Sequence, residues 1–149
     1  MRTCIIYDTK RNSTNIISNW IKKELEDKNI EVNIFKVNEF DGDFNYDLFI
    51  IGSPIYYERP LKGISNFIEN NSYSLNKTKV AIFIVCMAKI FGNATGGYIK
   101  KHYLFPLEKY FDNLIISSAI FEGWLRKENL KEKEKIKIWI NELIKKMEW

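Results

Sequence analysis

Five short apolar runs, each followed by an amphipathic stretch, dominate this sequence and constrain its fold more than any other feature. Arg2 to Tyr7, Glu31 to Val37, Asp47 to Gly52, Lys79 to Cys86 and Leu114 to Phe121 read as strands. Several are continuous Ile/Val/Phe runs, as strands covered on both faces require, whereas Val32, Ile34 and Val37 alternate with polar residues and mark the second as the edge candidate. Helices are read at Ser13 to Lys28, Leu61 to Asn70, Gly97 to Phe111 and Leu130 to Met147. Ile16, Ile17, Trp20, Ile21 and Leu25 form the apolar stripe of the first, and Ile136, Trp139, Ile140, Leu143 and Ile144 that of the last.

Alternating strands and helices predict an α/β fold, a doubly wound parallel sheet of five strands with helices on both faces. Right-handed crossovers and the short connection from Asn38 to Tyr46 favour the strand order 2-1-3-4-5. In such a sheet a ligand lies beyond the C-terminal strand ends, where the winding reverses between the first and third strands. The segments beginning at Asp8 and Ser53 occupy that place.

The 149 residues fit one domain, 1–149, and an apolar content of 46% is that of a chain able to bury a core. No apolar run is long enough to cross a bilayer and the N-terminus lacks a signal-peptide layout, so a cytoplasmic protein with no integral membrane segment is expected. The net charge of +4 is mild, and its lysines are interleaved with glutamates, as between Lys131 and Lys137. That reads as a solvated helix face, with no nucleic-acid partner. Cys4 and Cys86 fall inside strands and are expected as buried thiols, without disulfide or metal. His102, between Lys100, Lys101 and Tyr103, is expected on the surface.

The first strand breaks into Asp8, Thr9, Lys10, Arg11, Asn12, Ser13 and Thr14 before a helix begins. The first N–H groups of a helix have no partner within it and sit at the positive end of its dipole, so a hydroxyl-rich turn at that point is a phosphate cradle. At the third strand end, Ile50-Ile51-Gly52-Ser53-Pro54-Ile55-Tyr56-Tyr57 places two adjacent tyrosines on the ligand side. They form a flat amphipathic wall for an aromatic ligand, or one of them folds back on Ile55 or Pro60. Asp8 and Glu58 bracket the mouth without a partner base, so no catalytic acid/base pair is assigned.

Asp8 to Thr14 resembles the phosphate loop of the flavodoxin-like family, and Gly52-Ser53-Pro54-Ile55-Tyr56 is similar to that family's G-S-P-x-Y strand end. The one departure is Asn12 where the family usually has Gly, and Asn is the residue most tolerant of positive φ after Gly. The resemblance implies one non-covalent FMN. Its phosphate would lie on Thr9, Lys10, Arg11, Asn12, Ser13 and Thr14, and its ring between Ser53, Pro54, Ile55, Tyr56, Tyr57 and the loop from Met87 to Gly97, where Met87, Ala88 and Lys89 are assigned by position. Tyr98 is a further stacking candidate. An acidic cluster after the first strand, a G-x-G-x-x-G turn and a Walker loop are all missing from the sequence, which excludes receiver, dinucleotide-binding and P-loop readings.

Three functions follow from the resemblance. The first is an electron carrier serving redox partner proteins, though carriers of this family are usually acidic and this chain is mildly basic. The second is a flavin-dependent oxidoreductase acting on a porphyrinogen or quinone, as in the family's protoporphyrinogen IX dehydrogenase branch. The third is a non-redox binding module that has lost FMN, for which Asn12 is the hint.

Overall fold

The computed structural model describes residues 1–87, 96–112 and 115–148. Five parallel strands, β1 (Arg2–Tyr7), β2 (Glu31–Lys36), β3 (Leu48–Tyr56), β5 (Lys79–Met87) and β6 (Ile115–Gly123), pair in the order β2-β1-β3-β5-β6. A two-residue arm, β4 (Arg59–Pro60), returns antiparallel to β3 and accounts for the change in numbering. The winding is therefore the one expected from the sequence, with β2 at one edge and β6 at the other. A register shift between Val80 and Ala81 inserts a bulge in β6, which bends that exposed edge away from further pairing.

Side-chain alternation along the strands builds two cores. Cys4, Ile6, Phe49, Ile51, Ile82, Ile84 and Cys86 face α2 (Lys62–Asn70), α3 (Ser72–Leu75) and the helical segment after β5. Ile5, Leu48, Ile50, Phe83, Val85 and Phe121 face α1 (Ser13–Glu26) and α6 (Lys131–Met147). Burial of one such side chain is worth about 1.5 to 3 kcal/mol, so the central strand β3, buried at eight of its nine positions, anchors both layers.

Several ends shift by one or two residues, α1 closing at Glu26 instead of Lys28, and three differences matter for the site and its frame. The expected loop at Ser53 to Tyr56 is strand: Ser53 pairs with Ile84, Pro54 with Val85, and Ile55 and Tyr56 with the β4 arm. Pro54 is tolerated there because β1 ends at Tyr7, opposite Gly52. The Gly52 carbonyl accepts from the Asp8 N–H on that side, so the position two residues on faces a flank where β1 no longer runs and needs no N–H. The expected helix from Gly97 to Phe111 is instead α4 (Gly96–Ile99), a π turn (Lys100–Leu104) and α5 (Phe105–Glu108). Pro106 sets that break, since it has no N–H for the i−4 carbonyl and its ring crowds the preceding turn. The last strand runs two residues past Phe121 to Gly123, while its expected start at Leu114 lies outside the described residues.

Both cysteines are buried, free thiols, and burial pushes each up to about 12. The native protein should therefore leave a chromogenic thiol reagent unreacted at pH 8, and denaturation should release two thiols; rapid reaction of the folded protein would place one of them on a mobile surface.

Candidate functional site

The site is built where β1 and β3 end. Asp8 follows β1, and its Oδ1 accepts the Thr9 N–H at 2.8 Å. Its Oδ2 lies 2.7 Å from the position a Cβ on Gly63 would take, so a glycine in the first turn of α2 leaves room for this carboxylate. Asp8 thus organises the loop and packs on α2. Thr9 Oγ1 then accepts the Asn12 N–H at 3.0 Å, closing a tight turn.

Asn12 has φ 72°, the left-handed conformation for which the family's glycine is usual. The substitution is accommodated: its carbonyl accepts the Ile16 N–H at 3.1 Å and its Oδ1 accepts from Asn15 Nδ2 at 2.8 Å. No side chain caps the first turn of α1, so its leading N–H groups are left to an external acceptor. Thr14 in that turn is fully buried, and its Oγ1 has no hydrogen-bond partner. A buried unpaired hydroxyl costs about 1 to 3 kcal/mol, and an acceptor brought to it would remove that cost. Ser13, nearly buried, places its Oγ 3.2 Å from where a Gly123 Cβ would stand, which sets the end of β6 against the same turn.

The second block comes to the first. Lys10 Nζ lies 5.3 Å from the Tyr56 ring centre and 5.9 Å from that of Tyr57, and the Arg11 guanidinium 6.0 Å from Tyr56. Tyr56 is half-buried, and desolvation holds its phenol above the ordinary range, hence neutral. Tyr57 is 85% exposed, with Lys10 near one face. Tyr56 is thus partly covered and Tyr57 open to solvent. Ser53, Pro54 and Ile55 are buried beneath them; Ser53 Oγ accepts the Leu61 N–H at 3.0 Å and fixes the return of the chain. These three support the wall from behind.

Tyr57 and Glu58 form the two-residue turn of the β3–β4 hairpin, both with positive φ, 51° and 64°. This geometry belongs to primed turns, where Asn and Gly are the favoured residues, so two residues with side chains store strain of about 1 to 2 kcal/mol each. Glu58 repays part of it by accepting two phenolic hydrogen bonds, from Tyr98 at 2.6 Å and Tyr103 at 2.8 Å. Tyr98, a stacking candidate in the sequence, is instead a donor to this carboxylate and lies 4.3 Å from the His102 ring. His102 is on the surface as expected. The tie between Glu58 and Tyr103 spans 45 positions, and no spacing in the sequence signals it.

These bonds have a definite pH window. They hold the Glu58 carboxyl below its ordinary value, so their contribution is present above that value and is lost as pH falls through the lowered one. Tyr98 is raised first by its bond to Glu58, and Tyr103 first by burial, so the same bonds are lost again as pH rises through the raised phenol values. The tie is intact from about pH 5 to pH 9. Glu58→Gln should return the Tyr98 phenol towards its ordinary range in an absorbance titration while Tyr103 stays high. Movement of both together would mean that Glu58, not burial, governs Tyr103.

Met87 ends β5, paired with Gly123, so it stands at the same end of the sheet. Ala88 and Lys89, and the loop onward to residue 95, lie outside the described residues. Among the described residues no group of His, Cys, Asp and Glu could hold a metal ion. A recess of about 1000 Å³ opens at the opposite, N-terminal ends of the strands, lined by Met1, Ile30, Tyr46, Lys79 and Met147 among others. The unpaired Thr14 hydroxyl, the start of α1 and the strained hairpin lie at the C-terminal ends, the side on which a sheet of this order takes a ligand.

A parallel sheet in this order with an uncapped hydroxyl turn after β1 and an aromatic hairpin after β3 defines a flavodoxin-like protein. The chain matches the flavodoxin domain family over residues 4–148 and belongs to it. A search of curated proteins finds no match. Among solved structures it is similar to a short-chain flavodoxin associated with a non-canonical PDU bacterial microcompartment, with a TM-score of 0.75 at 13% identity over 99% of each chain. It is also similar to the Streptococcus pneumonia TIGR4 flavodoxin, with a TM-score of 0.74 at 15% identity over 98% of this chain and 99% of that one. Flavodoxin 1 from Bacillus cereus gives 0.68 at 14%, over 97% and 98%. At these identities the likeness is one of fold. Among the described residues no helix is long and apolar enough to cross a membrane.

Proposed function

We propose that residues 1–149 act as one flavodoxin-like domain that binds a single FMN and exchanges electrons through it with a redox partner. Family membership implies a flavin, and FMN is the form whose single terminal phosphate suits the cradle after β1. The observation that carries this reading is the buried, unpartnered Thr14 hydroxyl in the uncapped first turn of α1, next to a loop whose Lys10 reaches both Tyr56 and Tyr57. The residues fit the group.

In this assignment Ser13, Thr14 and the leading N–H groups of α1 hold the phosphate, and Thr9 and Asn12 shape the turn that presents them. Lys10 and Arg11 neutralise its charge, one residue of reach from the aromatic wall. Tyr56 and Tyr57 form that wall on Ser53, Pro54 and Ile55, and Met87, Ala88 and Lys89 take the other flank. The bound flavin supplies the redox chemistry. The chain's own contribution is to orient the ring against a neutral phenol and to hold the hairpin through Glu58.

Asn12 was the hint of a module without cofactor, and the positive φ it adopts favours the binding reading over that one. The mildly basic chain favours a partner or substrate with negative charge. The test is an absorption spectrum of the purified protein before and after addition of FMN and removal of the excess. Retained flavin bands are expected, and a colourless protein that releases all added FMN would overturn the assignment. A cytoplasmic setting belongs to the same proposal.

A further inference from the structure

A second cleft lies on the far side of the β3–β4 hairpin. It encloses about 420 Å³ between the solvent face of α2 and the end of α5, lined by Arg59, Pro60, Lys62, Ser65, Asn66, Pro106, Lys109 and Tyr110. Lys62, Ser65 and Asn66 are spaced at i, i+3 and i+4 on α2, and Pro106, Lys109 and Tyr110 repeat that spacing on the facing segment. The hairpin arm closes one end with Arg59, which pairs with Tyr56 of the aromatic wall.

Three cations line this cleft and no carboxylate does. Among the described residues, Arg59, Lys62 and Lys109 have no ion-pair partner, while Arg2, Lys23 and Lys135 do. Glu69 accepts from Tyr110 Oη at 3.4 Å and is not itself in the lining. Lys109 lies 5.1 Å from the Tyr110 ring, which keeps its ammonium at the cleft wall. Like charges gathered in a concavity repel one another until an anion enters, and a low-dielectric wall concentrates their field. Ser65 and Asn66 add neutral donors, and the Arg59 guanidinium presents a fork that suits carboxylate or phosphate oxygens in pairs.

We propose that this cleft is an anion-binding site for a small molecule carrying a phosphate or closely spaced carboxylates, held by Arg59, Lys62 and Lys109 with Ser65 and Asn66. All three cations are exposed at one open recess of about 420 Å³, a size that suits a small molecule better than an acidic protein surface.

The test is an amide NMR titration of the protein saturated with FMN, using pyrophosphate in one arm and citrate in the other at low ionic strength. Shifts confined to 59–66 and 106–110 are expected, weakened at least about tenfold in the Lys62→Gln/Lys109→Gln double variant. They should be unchanged in Lys131→Gln/Lys137→Gln, which removes the same charge from α6. A response to pyrophosphate alone or to citrate alone assigns the phosphate or the carboxylate source. Equal weakening in both double variants, or no shift with either anion while polyglutamate moves these residues, would overturn the site. If the protein retains no FMN, the titration is run on the protein as purified. Shifts at 12–16 then report on the phosphate cradle and shifts at 59–66 on this cleft, so the two readings fail separately.

Discussion

Replacing Ser13 and Thr14 together by alanine should weaken FMN binding by roughly 2 to 4 kcal/mol, about 30-fold to 1000-fold, as expected when two charge-assisted hydrogen bonds of about 1.5 to 3 kcal/mol are removed and partly replaced by water. The structure adds a second readout. Thr14 Oγ1 is buried without a partner, so the folded protein without ligand carries its desolvation cost. Thr14→Val keeps the shape and deletes the polar atom. It should therefore raise the stability of the flavin-free protein by about 1 kcal/mol while lowering FMN affinity. Opposite signs in a thermal melt and a binding titration would mark Thr14 as a ligand group held ready at a cost to the fold. Equal affinity in the Ser13/Thr14 double variant would mean that the phosphate sits elsewhere.

Gly52→Ala should cost about 1 to 3 kcal/mol of stability, a fall of several degrees in melting temperature for a domain of this size. A Cβ at Gly52 would stand 2.0 Å from Phe83 Cζ and 2.3 Å from its Cε1. The Phe83 ring therefore lies directly over the glycine, in the layer where it also meets Phe121 and Trp139 at 5.9 and 6.3 Å. The ring cannot leave without opening that cluster, so the strain is shared among large buried side chains. Gly52→Ala/Phe83→Leu should recover part of the loss, because the shorter side chain vacates the space the new methyl takes. A melt for Gly52→Ala indistinguishable from wild type would show that this core relaxes more freely than its packing implies.

The strands and the two-sided burial of β3 and β5 follow from local signals, continuous Ile/Val/Phe runs and helical apolar spacing, and the strand order from crossover handedness and one short connection. Those signals are local because hydrophobic periodicity and turn chemistry are properties of neighbouring residues. Asn12 illustrates the point, since its tolerance of positive φ is intrinsic to the residue and the structure uses it. The sequence reading ends the third strand at Gly52, where the continuous apolar run stops, whereas the structure continues it to Tyr56. The strand character of Ser53 to Tyr56 comes from β5 on one side and the β4 arm on the other.

What the sequence by itself determined, then, is the class of fold and that the segments after β1 and β3 meet at one end of the sheet. Only the tertiary structure decided how Glu58 is engaged. Its partners Tyr98 and Tyr103 lie 40 and 45 positions away, on α4 and on the π turn ahead of Pro106. Only the tertiary structure, too, gathered Arg59, Lys62 and Lys109 into one cleft. In the sequence these are three scattered cations, and charges reveal a site only where folding brings them within reach of a common ligand.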